Sequence, residues 1–235
     1  MTPTRRRVAI LGAGAVVLVL VAAGVAAYLA GSHHAPSQFA LSTPQPSGSH
    51  SGLSGKWVIA RGSEVGYRVR EQFINQPGPT EAVARTPQVS GAMQVKLVGT
   101  SYRATAIDFV ADLSTLVSQD RYATFQAYQR DFFVRTIYLQ TNLYPKAEFR
   151  ADNVEVAMDR APGPVTLDVP GRLSVHGVTK SVTTRLQAQI NGATLEVAGS
   201  ISVDMRDFNV SPPDISFTKA EPAVLIEYHL VLARS

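Results

Sequence analysis

The sequence of 235 residues contains no cysteine, a single tryptophan and few charged side chains. The absence of cysteine excludes disulfides, thiolate metal sites, cysteine nucleophiles and acylation of a lipoprotein cysteine. It is also compatible with an oxidising compartment. Charged residues make up only 17% of the chain, whereas 45% of its residues are hydrophobic, which is ample for a large core.

The net charge of +4 comes mainly from one end of the chain. Arg5, Arg6 and Arg7 supply three of the 22 basic residues, which leaves 19 against 18 acidic residues from Lys56 onward. Nucleic-acid binding needs clustered Lys and Arg side chains, so we expect no nucleic-acid partner. Motifs such as Gly-x-Ser-x-Gly, His-Glu-x-x-His and the phosphate loop are also missing, so the sequence predicts neither enzyme activity nor a cofactor.

The N-terminal region predicts a membrane anchor. Val8–Ala30 is 23 residues long, carries no charge and directly follows the three arginines. A helix of this length crosses a bilayer, and the arginines orient residues 1–7 toward the cytoplasm. The alternative is a signal peptide, because Val25-Ala26-Ala27 offers small residues for cleavage. Either interpretation exports the rest of the chain, and the length of the apolar run favours a retained anchor in the cell membrane.

Residues 31–55 predict a flexible linker rich in Ser, Pro and Gly. They include His33, His34 and His50, which could in principle capture a metal ion. A metal site needs fixed geometry, so we interpret these histidines as solvated and expect no metal site.

From residue 56 to residue 235 the pattern changes to one folded domain. Apolar residues alternate with polar ones in eight segments, which is typical of strands with one dry and one wet face. The longest alternating run surrounds Gly171–Val182, where His176-Gly177 predicts a hairpin turn. A helical insertion is expected at about 118–141, where aromatic residues recur at three- and four-residue spacing. The sequence therefore predicts an all-β, eight-stranded antiparallel barrel with one helical insertion.

Several segments resemble the YceI-like family of lipocalin-like barrels. The hairpin Gly171–Val182 is similar to the family's most distinctive signature, and Arg130-Asp131 followed by Tyr144–Phe149 resembles its helix-to-strand motif. Asp207–Val210 resembles a later segment, and the match runs from Trp57 to the C-terminus. Further segments are similar to a subgroup of exported actinobacterial members: Val65–Val69, Val83–Thr86 and Val89–Gly91. The chain departs from the family pattern at Ala60 and at Gly62-Ser63.

The resemblance implies a barrel that binds a long isoprenoid lipid, such as a quinone or a polyprenyl lipid, without covalent attachment. The expected function is extracytoplasmic binding, carriage or sequestration of this lipid. Candidate lining residues are Tyr67, Val69, Phe109, Phe125, Phe132, Phe133, Ile137, Leu173, Val175 and Ile226. Candidate head-group contacts are Arg68, Arg85 and Arg130, since a guanidinium can hold a phosphate or a quinone oxygen.

Three alternatives stay open at this point. The aromatic residues of the helix could simply form the core that packs the helix on the barrel. The three arginines could form structural ion pairs, with Glu71 or Asp131 as obvious partners. The whole domain could be an interaction module of the cell envelope with a solid core and no ligand. A homodimer is a further candidate assembly, and His176 is expected to be a turn residue without a chemical role.

Overall fold

A computed structural model of the chain describes residues 35–44, 52–74, 76, 78–120, 127–156 and 163–235. The predicted cytoplasmic tail, the predicted anchor and Phe125 lie outside these residues. Among the residues described, no helix is long and apolar enough to cross a membrane.

The domain is built almost entirely from antiparallel strands. Thirteen strands form one sheet in the described part of the chain. Their bounds are Gly55–Ile59 (β1), Glu64–Phe73 (β2), Thr80–Thr86 (β3), Val89–Val98 (β4), Ser101–Asp112 (β5), Val117–Ser118 (β6), Lys146–Ala151 (β7), Val154–Val156 (β8), Val165–Val175 (β9), Val178–Asn191 (β10), Thr194–Asp204 (β11), Asp214–Ile215 (β12) and Thr218–Arg234 (β13).

Eight of these strands close into a barrel. Hydrogen-bonded neighbours follow the order β1-β4-β5-β7-β9-β10-β11-β13, and β13 pairs back to β1. Trp57 lies at this closure, opposite Arg234 on one side and Met93 on the other, and its side chain is buried. The closed, eight-stranded, antiparallel barrel predicted from the alternation is therefore confirmed.

The remaining strands extend the wall beside the long strand β13. β2 pairs with β13, and β3 and β6 continue from β2. The register of β13 against β2 shifts between Ala220 and Val224, a stretch that contains Pro222. Proline has no N–H to give to the ladder, so a bulge at this position is expected.

The hairpin between β9 and β10 forms as predicted from the sequence. Val175 pairs with Val178, and the two residues between them both have positive φ, 50° at His176 and 73° at Gly177. A two-residue turn of type I′ requires positive φ at both positions, and it matches the twist of the flanking strands.

The helical insertion is shorter than the predicted range 118–141. The α-helix spans Ala127–Phe133 (α1) and continues directly into one π-helical turn, Val134–Tyr138. Ser118 belongs instead to β6, where its N–H and hydroxyl donate to the carboxylate of Asp131 at 3.0 and 2.6 Å. This side-chain contact ties α1 to the strand that precedes it.

Ala35–Pro44 lies against the outer wall of the barrel, and we call this segment the outer strap. The Pro36 and Ser37 carbonyls accept hydrogen bonds from Arg68 and Arg85 at 2.6 and 2.7 Å. Farther along, Ser42 bonds to Glu196 on β11. This part of the predicted flexible linker is therefore fixed by contacts, which is a correction to the sequence interpretation.

Candidate functional site

The barrel contains a cavity of about 150 Å³ that is partly open to solvent and whose walls are almost entirely apolar. Its lining comes from the inward-facing positions of most strands, because side chains alternate between the two faces of a strand. Among the lining residues are Val65, Val89, Met93, Ile107, Phe109, Phe149, Leu167, Val169, Leu173, Leu186, Val197, Ile201, Ile226, Leu230 and Leu232.

Thr184 and Tyr228 bring two hydroxyl groups to the inside of the barrel. The Thr184 hydroxyl and the Tyr228 hydroxyl are 2.6 Å apart, and Thr184 Oγ1 also lies 3.0 Å from the Ser200 carbonyl oxygen. Burial raises the pKa of Tyr228 to about 12, so the phenol stays neutral at physiological pH. Both hydroxyls already have partners within the protein, which leaves the cavity suited to an apolar molecule.

The size of the cavity limits what can enter without movement. A cavity of about 150 Å³ in another protein holds one benzene molecule. One isoprene unit has five carbons, so the enclosed space matches about one unit of an isoprenoid chain. A longer chain needs additional room, either through the open part of the cavity or by displacement of side chains.

The wall offers a place for such movement between β7, β8 and β9. Only three register pairs join β7 to β9, from Glu148↔Ser174 to Arg150↔Arg172. Within the described residues, no pairing joins β8 to β9. Glu148 is one of the residues at the cavity, and its carboxylate pairs with Arg150 at 3.1 Å. This side of the barrel is therefore less firmly hydrogen-bonded than the side formed by β10 and β11.

Gly171 on β9 leaves room for the aromatic ring of Phe149 on the neighbouring strand β7. A Cβ atom at Gly171 would come within 2.5 Å of the Phe149 ring and 2.8 Å of the Arg150 carbonyl oxygen. Phe149 is the direct cross-strand partner of both Phe109 and Leu173, so the three side chains meet at the cavity. The first residue of the predicted signature hairpin thus has a packing role.

The structure brings three of the predicted lining residues to the cavity: Phe109, Leu173 and Ile226. Three others pack in adjacent hydrophobic clusters rather than around it. Val69 packs with Ala82 and Ala220, Tyr67 joins that cluster as well as one around Ala84, and Val175 packs near Leu173 and Phe208.

Three of the predicted lining residues on the helical segment, Phe132, Phe133 and Ile137, are not among the residues at the cavity. The side chains of Phe132, Phe133 and Ile137 are 56%, 46% and 55% exposed. Tyr138 and Leu139, which follow them, pack instead against the cluster around Leu173 and Phe208. The helical pattern could not reveal which apolar residues face inward, because both faces of this segment carry them.

Arg130 lies in a buried cluster of charged groups beside Tyr67. Its guanidinium donates to both carboxylate oxygens of Asp120, at 2.6 and 2.8 Å, and lies 3.5 Å from Glu71. Burial would lower the pKa of Arg130, but the hydrogen bonds to Asp120 and the charge of Glu71 raise it. Arg130 therefore occupies a structural ion pair, with Glu71 as one of the partners considered from sequence.

The same cluster shifts two acidic groups. Burial raises the pKa of Glu71 to about 7, because the nearby Arg130 only partly offsets the loss of hydration. Burial likewise raises the pKa of Tyr67. The surroundings thus favour the neutral form of both Glu71 and Tyr67, which share the inner face of β2.

Arg68 and Arg85, the other candidate head-group contacts, lie on the outer face of the barrel. Both point away from the cavity and toward Glu227, whose side chain is only 1% exposed. Arg85 bonds to Glu227 Oε1 at 2.7 and 3.0 Å, and Arg68 lies 3.5 Å from Glu227 Oε2. Arg68 also pairs with Glu81 at 2.7 Å. The structure thus holds both arginines in ion pairs outside the cavity, where the outer strap covers them.

A second buried carboxylate holds the far end of the strap. Glu196 accepts hydrogen bonds from Ser42 at 2.6 Å and from Gln189 at 2.7 Å, and lies 2.6 Å from His229. Burial would raise the pKa of Glu196, but these hydrogen bonds lower it to about 2. Sequence reasoning missed this network, because Glu196 is an ordinary outward-facing position in an alternating strand.

His176 contacts Tyr144 in the hairpin turn. The two ring centroids are 4.5 Å apart, and His176 Nδ1 lies 3.2 Å from the Phe208 carbonyl oxygen. The residue therefore has a turn-bonded position, as expected. Among the described residues, no group of three or more His, Asp or Glu side chains could hold a metal ion.

A model of the YceI-like domain matches residues 57–232. The chain belongs to this family. No curated protein matches the sequence. The match covers the whole barrel from Trp57 at its closure to Leu232 in β13, while the outer strap lies before the matched region.

Solved structures with a similar fold include three bacterial proteins. A polyisoprenoid binding domain from Saccharophagus degradans, implicated in plant cell wall breakdown, is 16% identical with a TM-score of 0.55, and the match covers 77% of this chain and 99% of that chain. BcnA of Burkholderia cenocepacia is 21% identical with a TM-score of 0.49, over 72% of this chain and 95% of that one. The YCEI protein of Campylobacter jejuni is 13% identical with a TM-score of 0.37, over 86% and 94%.

Proposed function

We propose that this YceI-like barrel binds an isoprenoid lipid in its cavity and carries or sequesters it outside the cytoplasm. The observation that carries the proposal is a closed barrel with an almost wholly apolar cavity in its interior. The similar fold of a polyisoprenoid binding domain supports this ligand class. The hydroxyls of Thr184 and Tyr228 bond to each other, so the ligand is held by apolar contacts in this proposal.

The energetics favour an apolar chain. Each buried CH₂ contributes about 0.8 kcal/mol, so a five-carbon isoprene unit gains roughly 3–4 kcal/mol on leaving water. Ordering a flexible chain offsets part of this gain. Since the cavity holds about one isoprene unit, a longer chain needs additional room. Movement of Phe109 and Phe149, or separation of β7 from β9, would provide it.

The test is to purify the full-length chain from its native membranes and to measure bound lipid by native mass spectrometry. A matched pair of variants on β10 makes the test specific, because neighbouring residues face opposite sides of the wall. Leu186→Trp fills the cavity, whereas Gln187→Trp adds the same ring to the exposed outer face.

We expect wild-type protein and Gln187→Trp to carry lipid, and Leu186→Trp to lose it while keeping the barrel fold. A wild-type protein that is folded but empty would instead support the ligand-free interaction module. Equal lipid content in the two variants would place the lipid outside the cavity.

A further inference from the structure

The residues that line the cavity follow the strands along the barrel. On β13 they run from Leu232 through Leu230 and Tyr228 to Ile226. The first and last of these residues are six positions apart, which is about 20 Å along a strand. An isoprenoid chain in the cavity would therefore run alongside β13, and its length would be limited at the two ends of this space.

At the Ile226 end, the inward faces of the strands continue to be apolar. Two positions beyond Leu173 on β9 lies Val175, and two positions beyond Ile201 on β11 lies Val203. Both valines pack in the hydrophobic cluster that contains Leu173 and Ile226. A longer chain that advances past Ile226 would therefore meet an apolar region that other side chains now occupy.

Leu139, which directly follows the π-helical turn, fills part of this region. It packs in the cluster that contains Leu173 and Ile226, and also in a neighbouring cluster that includes Ala84 of β3 and Ala147 of β7. Leu173, Ile226 and Ala147 all line the cavity. The side chain of Leu139 therefore lies next to the Ile226 end of the cavity, among strands from several sides of the barrel.

The backbone around Leu139 is bonded to its own segment. The N–H of Leu139 donates to the Val134 carbonyl at 2.8 Å, and the N–H of Thr141 donates to the Arg135 carbonyl at 2.7 Å. Leu173, in contrast, is fixed by ladders with β7 on one side and β10 on the other. A change of side chain at position 139 can therefore alter the space inside the barrel while the strand pairs are kept.

We propose that Leu139 sets the length of the isoprenoid chain that the barrel accepts. Its side chain occupies the apolar region into which a longer chain would extend, so Leu139 acts as a specificity-determining residue. The proposal rests on the proposed lipid-binding function. A smaller side chain at position 139 should favour longer lipids, and a larger side chain should favour shorter ones.

The test uses the full-length chain in detergent, and the probes are linear polyprenols of three to eight isoprene units, mixed in equal amounts. Native mass spectrometry measures how much of each length the protein holds. The variants are Leu139→Ala, which shortens the side chain, and Leu139→Phe, which enlarges it. The fluorescence of the buried Trp57 shows whether each variant keeps the barrel, and Leu139→Val replaces Leu139→Ala if the latter does not fold.

Leu116→Ala is the matched control. Leu116 is buried and packs, like Leu139, in the cluster that includes Ala84. Among the residues described, it belongs neither to the lining of the cavity nor to the cluster that contains Leu173. The control therefore removes the same atoms from the same neighbourhood without enlarging the region next to the cavity.

We expect Leu139→Ala to raise the bound ratio of longer to shorter polyprenols about tenfold relative to the wild type, which corresponds to about 1.4 kcal/mol. Leu139→Phe should lower the same ratio, and Leu116→Ala should keep the wild-type ratio. A loss of stability does not produce shifts of opposite sign, because both substitutions at position 139 disturb the packing.

If the wild-type protein binds polyprenols and both Leu139 variants keep its length profile, the proposal is overturned while the proposed function stands. An equal shift in Leu116→Ala would also overturn the proposal, because it would show a general loosening of the core. If the wild type and the variants bind no polyprenol of any length, the proposed function itself fails, and the proposal fails with it.

Discussion

The buried carboxylate of Glu227 offers the sharpest test of how the outer wall is held together. Its Oε1 accepts two hydrogen bonds from Arg85, at 2.7 and 3.0 Å, and its Oε2 lies 3.5 Å from Arg68. Glu227 is 1% exposed and Arg68 is 6% exposed, so water screens these charges little. Glu227→Gln keeps the shape of the side chain and removes the charge that compensates two arginines.

Breaking a buried ion pair by removing one partner costs about 3–5 kcal/mol. We expect the lower end of this range, because Arg68 keeps its 2.7 Å contact with Glu81 and Arg85 keeps the Ser37 carbonyl. A loss of about 3 kcal/mol is a large share of the roughly 5–15 kcal/mol that stabilises a typical protein. With an m-value of about 2 kcal/mol per molar urea, the unfolding midpoint falls by about 1.5 M.

The single tryptophan reports this transition directly. Trp57 is buried at the closure between β1 and β13, so its fluorescence changes when the barrel opens. Asp168→Asn is the control, because Asp168 and Arg185 are 4.0 Å apart and largely exposed. Exposed pairs contribute at most about 1 kcal/mol. Coincident urea midpoints for the two variants would refute the reasoning, since burial would then make no difference to the cost of losing the charge.

Three further predictions concern packing and pH. Gly171→Ala should destabilise the barrel by about 1–3 kcal/mol in thermal unfolding, because the new methyl group overlaps the Phe149 ring. Gly78→Ala is the control and should have little effect, since open space surrounds Gly78. The carboxyl of Glu71 keeps its proton up to about pH 7 in the folded state, whereas the unfolded chain releases it near pH 4.5. The free energy of unfolding should therefore fall as pH rises from 4.5 to 7. In urea titrations at several pH values, Glu71→Gln should reduce this pH dependence. Glu196 has a lowered pKa of about 2, so its contribution should be lost as pH falls from 4.5 toward 2, and unchanged stability there would contradict its hydrogen-bonded state.

The interior of the barrel could be predicted from the sequence because strand alternation is a local property. The alternation of apolar and polar residues places Leu173 and Ile226 on the inward faces of their strands, and both reach the cavity. The same reasoning applies to Val197 and Ile201, which line the cavity but were not singled out as site residues. The turn at His176-Gly177 was equally predictable, since two-residue hairpins require positive φ that few residue types adopt easily.

The outer wall could not be predicted, because its contacts join distant parts of the chain. Arg68 bonds to Pro36, 32 residues earlier, and approaches Glu227, 159 residues later. In sequence these three residues occupy outward positions or a Ser/Pro/Gly-rich stretch, which normally indicates solvent. These residues become buried only when the strap covers the sheet, and the periodicity of hydrophobic residues does not predict that contact. The exposed rings of α1 escaped prediction for a similar reason, since a short helix can turn either face toward the barrel.

Strands β11 and β13 carry cavity-lining residues on their inner face and the buried carboxylates on their outer face. Glu227 lies between Ile226 and Tyr228, which both line the cavity, so the contacts beneath the strap and the cavity lining share one segment of β13. Glu196 lies in the same way between Leu195 and Val197 on β11. The buried charges therefore clamp the β2, β11 and β13 side of the barrel from outside, while the side between β7, β8 and β9 has few pairings. A chain longer than one isoprene unit needs more room than the cavity offers, and the two junctions of the barrel with only three register pairs, β7 with β9 and β1 with β13, have the fewest backbone contacts to lose if the wall widens.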